Sequence, residues 1–197
     1  MDIVTRTVHA GQTTDSAYGS VTPPIYQTSN FRFVGVGKAG EYEYTRLGNP
    51  TRQTLEDAIA DLEGGVGAVA TSSGMAAITT ALSIFDSGIH VICTHDCYGG
   101  TTRLLNWLQE QKKIEVSFVN LCEPDALKKA CKPNTRVVWI ETPSNPLLSI
   151  VDLEKIASYS RKENITTIAD NTFLSPYFQL AEFVGSVPCC VKPLRRR

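Results

Sequence analysis

The fold is decided at Ile165-Thr166-Thr167-Ile168-Ala169-Asp170-Asn171-Thr172, a short apolar run that ends abruptly on a carboxylate. The run predicts a buried β-strand, and a buried carboxylate at the end of a strand needs a partner. In open parallel α/β sheets, ligands bind at that end of the strands. Asp170 therefore has two interpretations: a solvated residue that opens a turn, or a group that holds a proton on a ligand nitrogen.

Length and charge limit the class of protein. The chain has 197 residues, of which 42% are hydrophobic and 20% charged, and its formal net charge is −1. This length allows one full domain, or one and a fraction, with a sizeable core. With so little net charge we expect no nucleic-acid partner and no membrane partner. Since no apolar run approaches the roughly 20 residues that span a bilayer, and the start lacks a signal-peptide pattern, we expect a cytoplasmic protein.

The cysteines give no sign of a metal site. No pair has the C-x-x-C spacing of zinc ligands, and His95 is poorly spaced for joining its neighbours in such a site. We expect reduced structural thiols and no bound metal. The six cysteines are Cys93, Cys97, Cys122, Cys131, Cys189 and Cys190.

Residues 1–49 are rich in glycine and proline and keep no helical or alternating pattern for long, which predicts an irregular arm. Disordered tails are poor in aromatic residues, so the aromatics of this arm favour packing against another subunit. A helix is predicted to begin at Asn49-Pro50, with proline at its first position, and to end at Gly64-Gly65. The arm aromatics are Tyr18, Tyr26, Phe31, Phe33, Tyr42 and Tyr44.

Beyond residue 65, apolar strand patterns alternate with helical ones. The predicted strands are 68–71, 90–93, 116–119, 137–140 and 166–169, and the predicted helices are 76–85, 102–111, 125–131 and 153–162. This alternation predicts an α/β fold with a mainly parallel sheet and helices on both faces. Short right-handed connections then place all the strand carboxyl ends along one edge.

Four of those carboxyl ends carry residues that suit one ligand. Thr71-Ser72-Ser73-Gly74-Met75 opens a helix and predicts an anion cradle, while Tyr98 precedes two glycines. Asn145 lies in a loop held by prolines, and Asp170 ends the last strand. Together they predict a pocket for a planar phosphorylated heterocycle with a basic nitrogen. Pyridoxal 5′-phosphate fits better than a dinucleotide, because the G-x-G-x-x-G signature is missing.

Six motifs resemble those of the Cys/Met-metabolism family of pyridoxal-phosphate enzymes, the trans-sulfuration enzymes. They are residues 18–26, 44–52, 73–78, 96–100, 141–146 and 170–176, and the resemblance extends over roughly residues 1–179. It implies the large domain of the aspartate-aminotransferase-type fold, known as fold type I, with pyridoxal 5′-phosphate as cofactor and small amino acids as substrates.

The resemblance assigns four matching residues to the cofactor ring. Asp170 would pair with the pyridinium nitrogen and keep it protonated, so that the ring withdraws electrons from the substrate. Tyr98 would stack on the ring face, as the catalytic residue of this part of the chain. Asn145 would approach the ring hydroxyl, and Thr172 would support the ring.

Five further residues are assigned by resemblance to the phosphate. Gly74 and Met75 would present backbone N–H groups to it, next to Ser73. Tyr44 and Arg46 would reach the phosphate of the neighbouring subunit, a task that suits a bidentate arginine. The active site would then be shared between subunits of a homo-oligomer, a dimer of dimers in the family.

The reaction expected from the resemblance is gamma-replacement, in which cysteine displaces the leaving group of an activated homoserine ester. Gamma- or beta-elimination from cystathionine is the alternative. The motifs do not distinguish these reactions, because the residues of the motifs are expected to contact the cofactor rather than the substrate.

The resemblance ends after Gln179. Family members continue to a Ser-x-Thr-Lys motif whose lysine forms the Schiff base, whereas Lys192 here precedes Pro193 without those hydroxyl groups. We expect three parts: the arm at 1–49, an incomplete cofactor-binding α/β domain at 50–179, and an unrelated basic tail at 180–197.

We therefore expect a gene product truncated or frame-shifted before the catalytic lysine, and inactive by itself. An alternative of another class is a non-catalytic fragment that associates with an intact family subunit.

Overall fold

The computed structural model of the chain describes residues 2–12, 15, 17–123 and 125–179. The chain divides into two compact units, Met1–Ala70 and Thr71–Arg197. This division groups the helix after the arm with the arm itself, and the predicted domain limits at 49 and 179 stay predictions. The predicted basic tail, with Cys189, Cys190 and Lys192, lies outside the described residues.

The first unit contains two helices, α1 at Ile3–His9 and α2 at Pro50–Leu62. α2 begins where proline predicted it, after an Asn49 side chain that accepts from the N–H of Thr51, and Gly64 follows its end at φ 60°. The described residues between α1 and α2 form no further helix and only isolated bridges, as the arm prediction requires.

The prediction of an irregular arm is wrong for residues 3–9. α1 was missed because its apolar residues Val4 and Val8 are exposed, so no buried stripe marks it. Asp2 instead caps its N-terminus by accepting from the N–H of Val4, and the Arg6 guanidinium lies 3.1 Å from the Asp61 carboxylate of α2.

The second unit is an α/β fold with a parallel sheet. Its elements are α3 Gly74–Ser83, β1 Ile89–Thr94, α4 Gly99–Glu110, β2 Ile114–Val119, α5 Ala126–Ala130, β3 Thr135–Glu141, α6 Leu153–Lys162, β4 Thr166–Asp170 and α7 Ser175–Phe178. The strands lie in the order β2-β1-β3-β4, and every neighbouring pair is parallel. These four strands confirm the prediction to within two residues at each end.

The fifth predicted strand, at 68–71, is wrong: these described residues form no strand. Val69 is 78% exposed, and the N–H of Ala70 donates to the Glu56 carboxylate at 2.8 Å rather than to a neighbouring strand. A four-residue segment with one strongly apolar side chain does not form a stable strand unless a neighbouring strand pairs with it.

Alternate strand residues divide the core between the two faces of the sheet, as the pleat requires. One face packs under α3 and α4, with Ile78 and Leu105 against Val91, Cys93, Val137, Trp139 and Ile168. The other packs under α5 and α6, with Leu127 and Ile156 against Ile92, Val138, Ile140 and Ala169. Helices on both faces are therefore confirmed.

The strand order places a crevice at the carboxyl edge. From β1 the chain first crosses to β2 on one side, and it then returns to β3 and β4 on the other side. Ligands of open α/β sheets bind where the order reverses, which is here between β1 and β3. None of the helices in the described residues is long and apolar enough to cross a bilayer.

Candidate functional site

One carboxylate, that of Glu141, joins the loops that follow β1 and β3. Glu141 ends β3 and is only 5% exposed. The backbone N–H of Tyr98 donates to its Oε2 at 2.7 Å, and the N–H of Asn145 donates to its Oε1 at 2.8 Å. The two predicted ring-contacting residues are thus brought together by a side chain to which the sequence analysis gave no role.

Negative charge is concentrated at this edge of the sheet. Glu141 lies opposite Asp170 in the register of β3 and β4. Burial raises the pKa of Glu141 to about 7, with a further upward contribution from Asp170, although the Tyr98 and Asn145 N–H groups oppose the shift. A cation or protonated ring nitrogen placed here would relieve this crowding.

Asp170 lies where the sequence predicted, buried at the carboxyl end of β4 and 4% exposed. Its Oδ1 accepts hydrogen bonds from both the backbone N–H of Thr172, at 3.1 Å, and the Thr172 hydroxyl, at 2.5 Å. These two bonds set the orientation of the carboxylate. Of the two interpretations, burial contradicts the solvated turn residue.

A second carboxylate, Asp96, clamps the same two loops. Its Oδ2 accepts from the hydroxyl groups of Ser144, at 2.5 Å, and Ser149, at 2.8 Å. Burial would raise the pKa of Asp96, but these two hydroxyl groups outweigh it and hold the pKa below its ordinary value. Asp96 stays charged, and it fixes Ser144, the residue before Asn145.

The start of α3 has the features predicted for an anion cradle. The Ser73 hydroxyl caps the helix by accepting from the N–H of Ala76 at 3.2 Å. Gly74 and Met75 are the first two helical residues, so their N–H groups have no carbonyl partner within the helix. The positive end of the helix dipole adds to them.

The glycine pair after Tyr98 leaves room that a side chain would fill. A Cβ atom at Gly100 would lie 2.4 Å from the ring of Tyr98 and 2.6 Å from the sulfur of Met75. Tyr98 and Met75 therefore converge on Gly100, which brings the α3 start and the aromatic ring to one place. With the charge of Asp170, this donor set fits a planar phosphorylated ring that carries a proton on nitrogen.

Tyr44 and Arg46 belong to the first unit, and the other seven predicted site residues belong to the second. The Arg46 guanidinium lies over the Tyr44 ring, 5.2 Å from its centroid. Asn49 holds this loop, because its amide donates to the Thr45 hydroxyl at 3.0 Å, and Arg52 donates to the Leu47 carbonyl at 2.9 Å.

Comparison with known proteins identifies the family. The family described as Cys/Met metabolism PLP-dependent enzyme matches residues 4–183. The chain belongs to this family. Members depend on pyridoxal 5′-phosphate, so the predictions of family and cofactor are confirmed.

Relatives with different activities match the chain equally well. A cystathionine beta-lyase of Lactococcus lactis subsp. cremoris is 47% identical and aligns with 92% of this chain and 48% of its own length. A cystathionine gamma-lyase of Bacillus subtilis is 45% identical, with 92% and 48% covered. The solved cystathionine gamma synthase of Xanthomonas oryzae, in complex with cystathionine, is 45% identical with a TM-score of 0.85, and 89% of this chain and 46% of that one are covered.

The chain thus spans about half the length of the curated relatives it matches. The predicted tail residues from Leu180 onward lie outside the described residues, so the structure adds nothing on Lys192.

Two site residues, Glu141 and Asp96, were missed by the sequence analysis. The available signal was the one used for Asp170, a carboxylate directly after a predicted apolar strand. Glu141 stands in such a position, directly after the predicted strand 137–140, whereas Asp96 lies three residues beyond the predicted strand 90–93.

Proposed function

We propose that this chain provides the cofactor-binding part of a trans-sulfuration enzyme that uses pyridoxal 5′-phosphate. The observation that carries the proposal is the buried Asp170 carboxylate, oriented by Thr172 at the carboxyl end of β4. Family membership supplies the cofactor. A buried carboxylate in this position suits a protonated ring nitrogen.

Four residues of the second unit would hold the ring. Asp170 would keep a proton on the ring nitrogen, and Thr172 would keep that carboxylate in place. Tyr98 would cover the ring face, and Asn145 would meet the ring hydroxyl. When bound, the cofactor supplies an electron sink for the amino-acid substrate.

The phosphate would be bound at the start of α3 and by a neighbouring subunit. Gly74 and Met75 would donate their N–H groups, next to the capping Ser73. Tyr44 and Arg46 would come from a second copy, which makes the homo-oligomer part of the proposal. The arm supports it, because Tyr18, Val21 and Val36 are each almost fully exposed apolar residues of its described part.

The reaction we favour is gamma-replacement, in which cysteine sulfur forms the new bond to an activated homoserine ester and the ester acid leaves. Cystathionine gamma- or beta-lyase activity is the alternative, since relatives of both kinds match. The test is product analysis of an intact relative fed O-succinylhomoserine with cysteine, and then cystathionine alone. Cystathionine is the expected main product, whereas release of pyruvate or 2-oxobutyrate as the main activity would remove the synthase assignment.

For the 197-residue chain itself we propose no turnover, because its sequence contains no Ser-x-Thr-Lys motif. Loss of the covalent link and of about two hydrogen bonds, each worth roughly 1 to 3 kcal/mol, weakens cofactor retention by several powers of ten. The purified chain should be colourless after dialysis. If borohydride instead fixes the cofactor to a lysine and the chain turns over substrate, this proposal is wrong, and peptide mapping would examine Lys192 first.

A second candidate function is association with an intact family subunit, without catalysis. The exposed apolar residues of the arm favour it, since such a surface suits a subunit contact. Co-expression with an intact relative followed by size-exclusion chromatography tests this. A mixed oligomer is the expected result, and insoluble chain with no mixed species would exclude the association.

A further inference from the structure

Two cysteines lie in contact beneath the loop that carries Tyr98. Cys93 belongs to β1 and is fully buried, while Cys97 lies in the turn before α4 and is 6% exposed. Their sulfur atoms are 3.5 Å apart, and the Cys97 sulfur is also 3.3 Å from the Thr102 hydroxyl. Both are free thiols.

This separation is a non-bonded contact that a small movement would bring to bonding distance. A disulfide has an S–S length of about 2.05 Å, so the two sulfur atoms need to approach by only about 1.5 Å. The Cys97 side of the pair lies in a turn, outside any helix or strand, and can make that movement more readily than a residue within the sheet. Metal binding does not compete, because the described residues contain no group of three or more metal-ligating side chains around these sulfurs.

The two thiols also differ in chemical character. Hydrogen bonds from Cys93 and Thr102 hold the pKa of Cys97 below its ordinary value, against the effect of burial and of the nearby Glu141. Burial raises the pKa of Cys93 well above its ordinary value. A thiolate is the nucleophile in disulfide exchange, so Cys97 attacks first and Cys93 serves as the resolving thiol.

We propose that Cys97 and Cys93 form a redox modification site, which disulfide oxidants such as oxidised glutathione close into an intramolecular disulfide. The Cys97 thiolate attacks one sulfur of the oxidant, whose S–S bond breaks and releases one glutathione thiolate. That thiolate takes the proton of Cys93, and the Cys93 sulfur then attacks Cys97 and releases the second glutathione. Two electrons pass from the cysteine pair to the oxidant, which leaves as two reduced glutathione molecules.

The sequence allows a direct test, because trypsin releases both cysteines in one peptide. No lysine or arginine occurs between Arg52 and Arg103, and the peptide 53–103 contains Cys93 and Cys97 as its only cysteines. The native chain is incubated with oxidised glutathione, quenched in acid, unfolded in excess N-ethylmaleimide and digested. The peptide is expected two hydrogens lighter and without maleimide, and dithiothreitol before the quench should restore two maleimide additions.

Three variants identify the order of attack. Cys93→Ala should leave a stable glutathione adduct on Cys97, whereas Cys97→Ala should leave Cys93 unmodified. Cys122→Ser is the matched control, because Cys122 is exposed and its loss should not change the peptide 53–103.

Two results on the unmodified chain would overturn the proposal, whether or not the variants fold. One is a peptide 53–103 that carries two maleimides after oxidant has modified exposed Cys122. The other is a glutathione adduct on Cys97 that persists beside a free Cys93.

Discussion

The two ends of the parallel sheet bury polar groups in opposite ways. At the amino end, His90 of β1 is fully buried, and its Nδ1 and Nε2 lie 2.8 Å and 2.9 Å from the hydroxyl groups of Thr135 and Ser117. Burial, helped by Lys132, lowers the pKa of His90 and keeps it neutral. Both ring nitrogen atoms of His90 thus have partners within the protein, as a purely structural role requires.

At the carboxyl end, three carboxylates are buried close together. Asp96, Glu141 and Asp170 lie at or just beyond the ends of β1, β3 and β4. Backbone N–H and hydroxyl groups hold them, and the pKa of Glu141 rises to about 7. At the amino end the buried His90 ring is paired within the protein. At the carboxyl end the buried carboxylates concentrate negative charge that a protonated ligand can neutralise. The expected effects of substitution at the two ends therefore differ in kind.

The largest expected effect is on stability, at the amino end. His90→Ala removes a fully buried ring and the hydrogen bonds that it makes with Thr135 and Ser117, so the free energy of unfolding should fall by about 2 to 4 kcal/mol. Urea unfolding measures this, with His95→Ala as the matched control, because the His95 side chain is about half exposed. A loss no greater than that of the control would mean that the His90 bonds do not stabilise the sheet.

The second effect is on ligand affinity, at the carboxyl end. Asp170→Asn keeps the shape of the side chain but removes its charge, so affinity for a protonated ring should fall about 10- to 100-fold. The ligand is 4′-deoxypyridoxine 5′-phosphate, which lacks the aldehyde and cannot react with lysines, and binding is measured by ultrafiltration. Exposed Glu154→Gln is the control. Equal affinities in the two variants would show that the charge of Asp170 does not contribute to binding the ring nitrogen.

The carboxyl end was predictable from sequence where a strand and its last residue carried the signal. β4 and Asp170 were found because an apolar run stops on a carboxylate, and Asn49-Pro50 marked the start of α2 by local chemistry alone. The motifs then placed Tyr98 and Asn145 at their strand ends.

What sequence reasoning missed depends on the path of loops or on long-range partners. The two hydrogen bonds to Glu141 come from residues 43 and 4 positions away, and the first of these needs the register of β1 beside β3. The 68–71 segment has strand-forming residues, but a strand also needs a neighbour, which no local pattern reports. α1 lacks a buried stripe and is fixed by the Asp2 cap and the Arg6–Asp61 pair.

The third expected effect is a steric one on ligand affinity. It tests whether the packing of Tyr98 and Met75 against Gly100 shapes the site. Gly100→Ala would place a Cβ 2.4 Å from the Tyr98 ring, which must move, so affinity for 4′-deoxypyridoxine 5′-phosphate should fall about fivefold, roughly 1 kcal/mol. Gly99→Ala is a close control, since its Cβ would meet only the flexible end of Arg103, at 3.3 Å. If both variants bind like the unmodified chain, the ring of Tyr98 does not contribute to the site.

The smallest expected effect is a pH dependence, and it isolates the ionisation of Glu141. The pKa of Glu141 is about 7 in the folded chain against an ordinary 4.5, so between these values the folded chain binds a proton that the unfolded chain releases. The stability from that proton is complete below the lower value and is lost as pH rises through about 7. Glu141→Gln removes this titration, so its unfolding free energy should fall less steeply than that of the unmodified chain between about pH 6.5 and pH 8, by roughly 1 kcal/mol.

This test depends on the slope of the unfolding free energy against pH and not on the absolute stability of the variant. A glutamine at 141 has one acceptor oxygen where the carboxylate accepts from both Tyr98 and Asn145, so the variant loses a hydrogen bond at every pH. His90 titrates in both proteins, and its contribution cancels in the difference. Glu154→Gln, on the exposed face of α6, should keep the slope of the unmodified chain. Parallel curves for the unmodified chain and Glu141→Gln would show that Glu141 ionises as an ordinary carboxyl, and the carboxyl end of the sheet would then carry more negative charge near neutral pH than a pKa of about 7 implies.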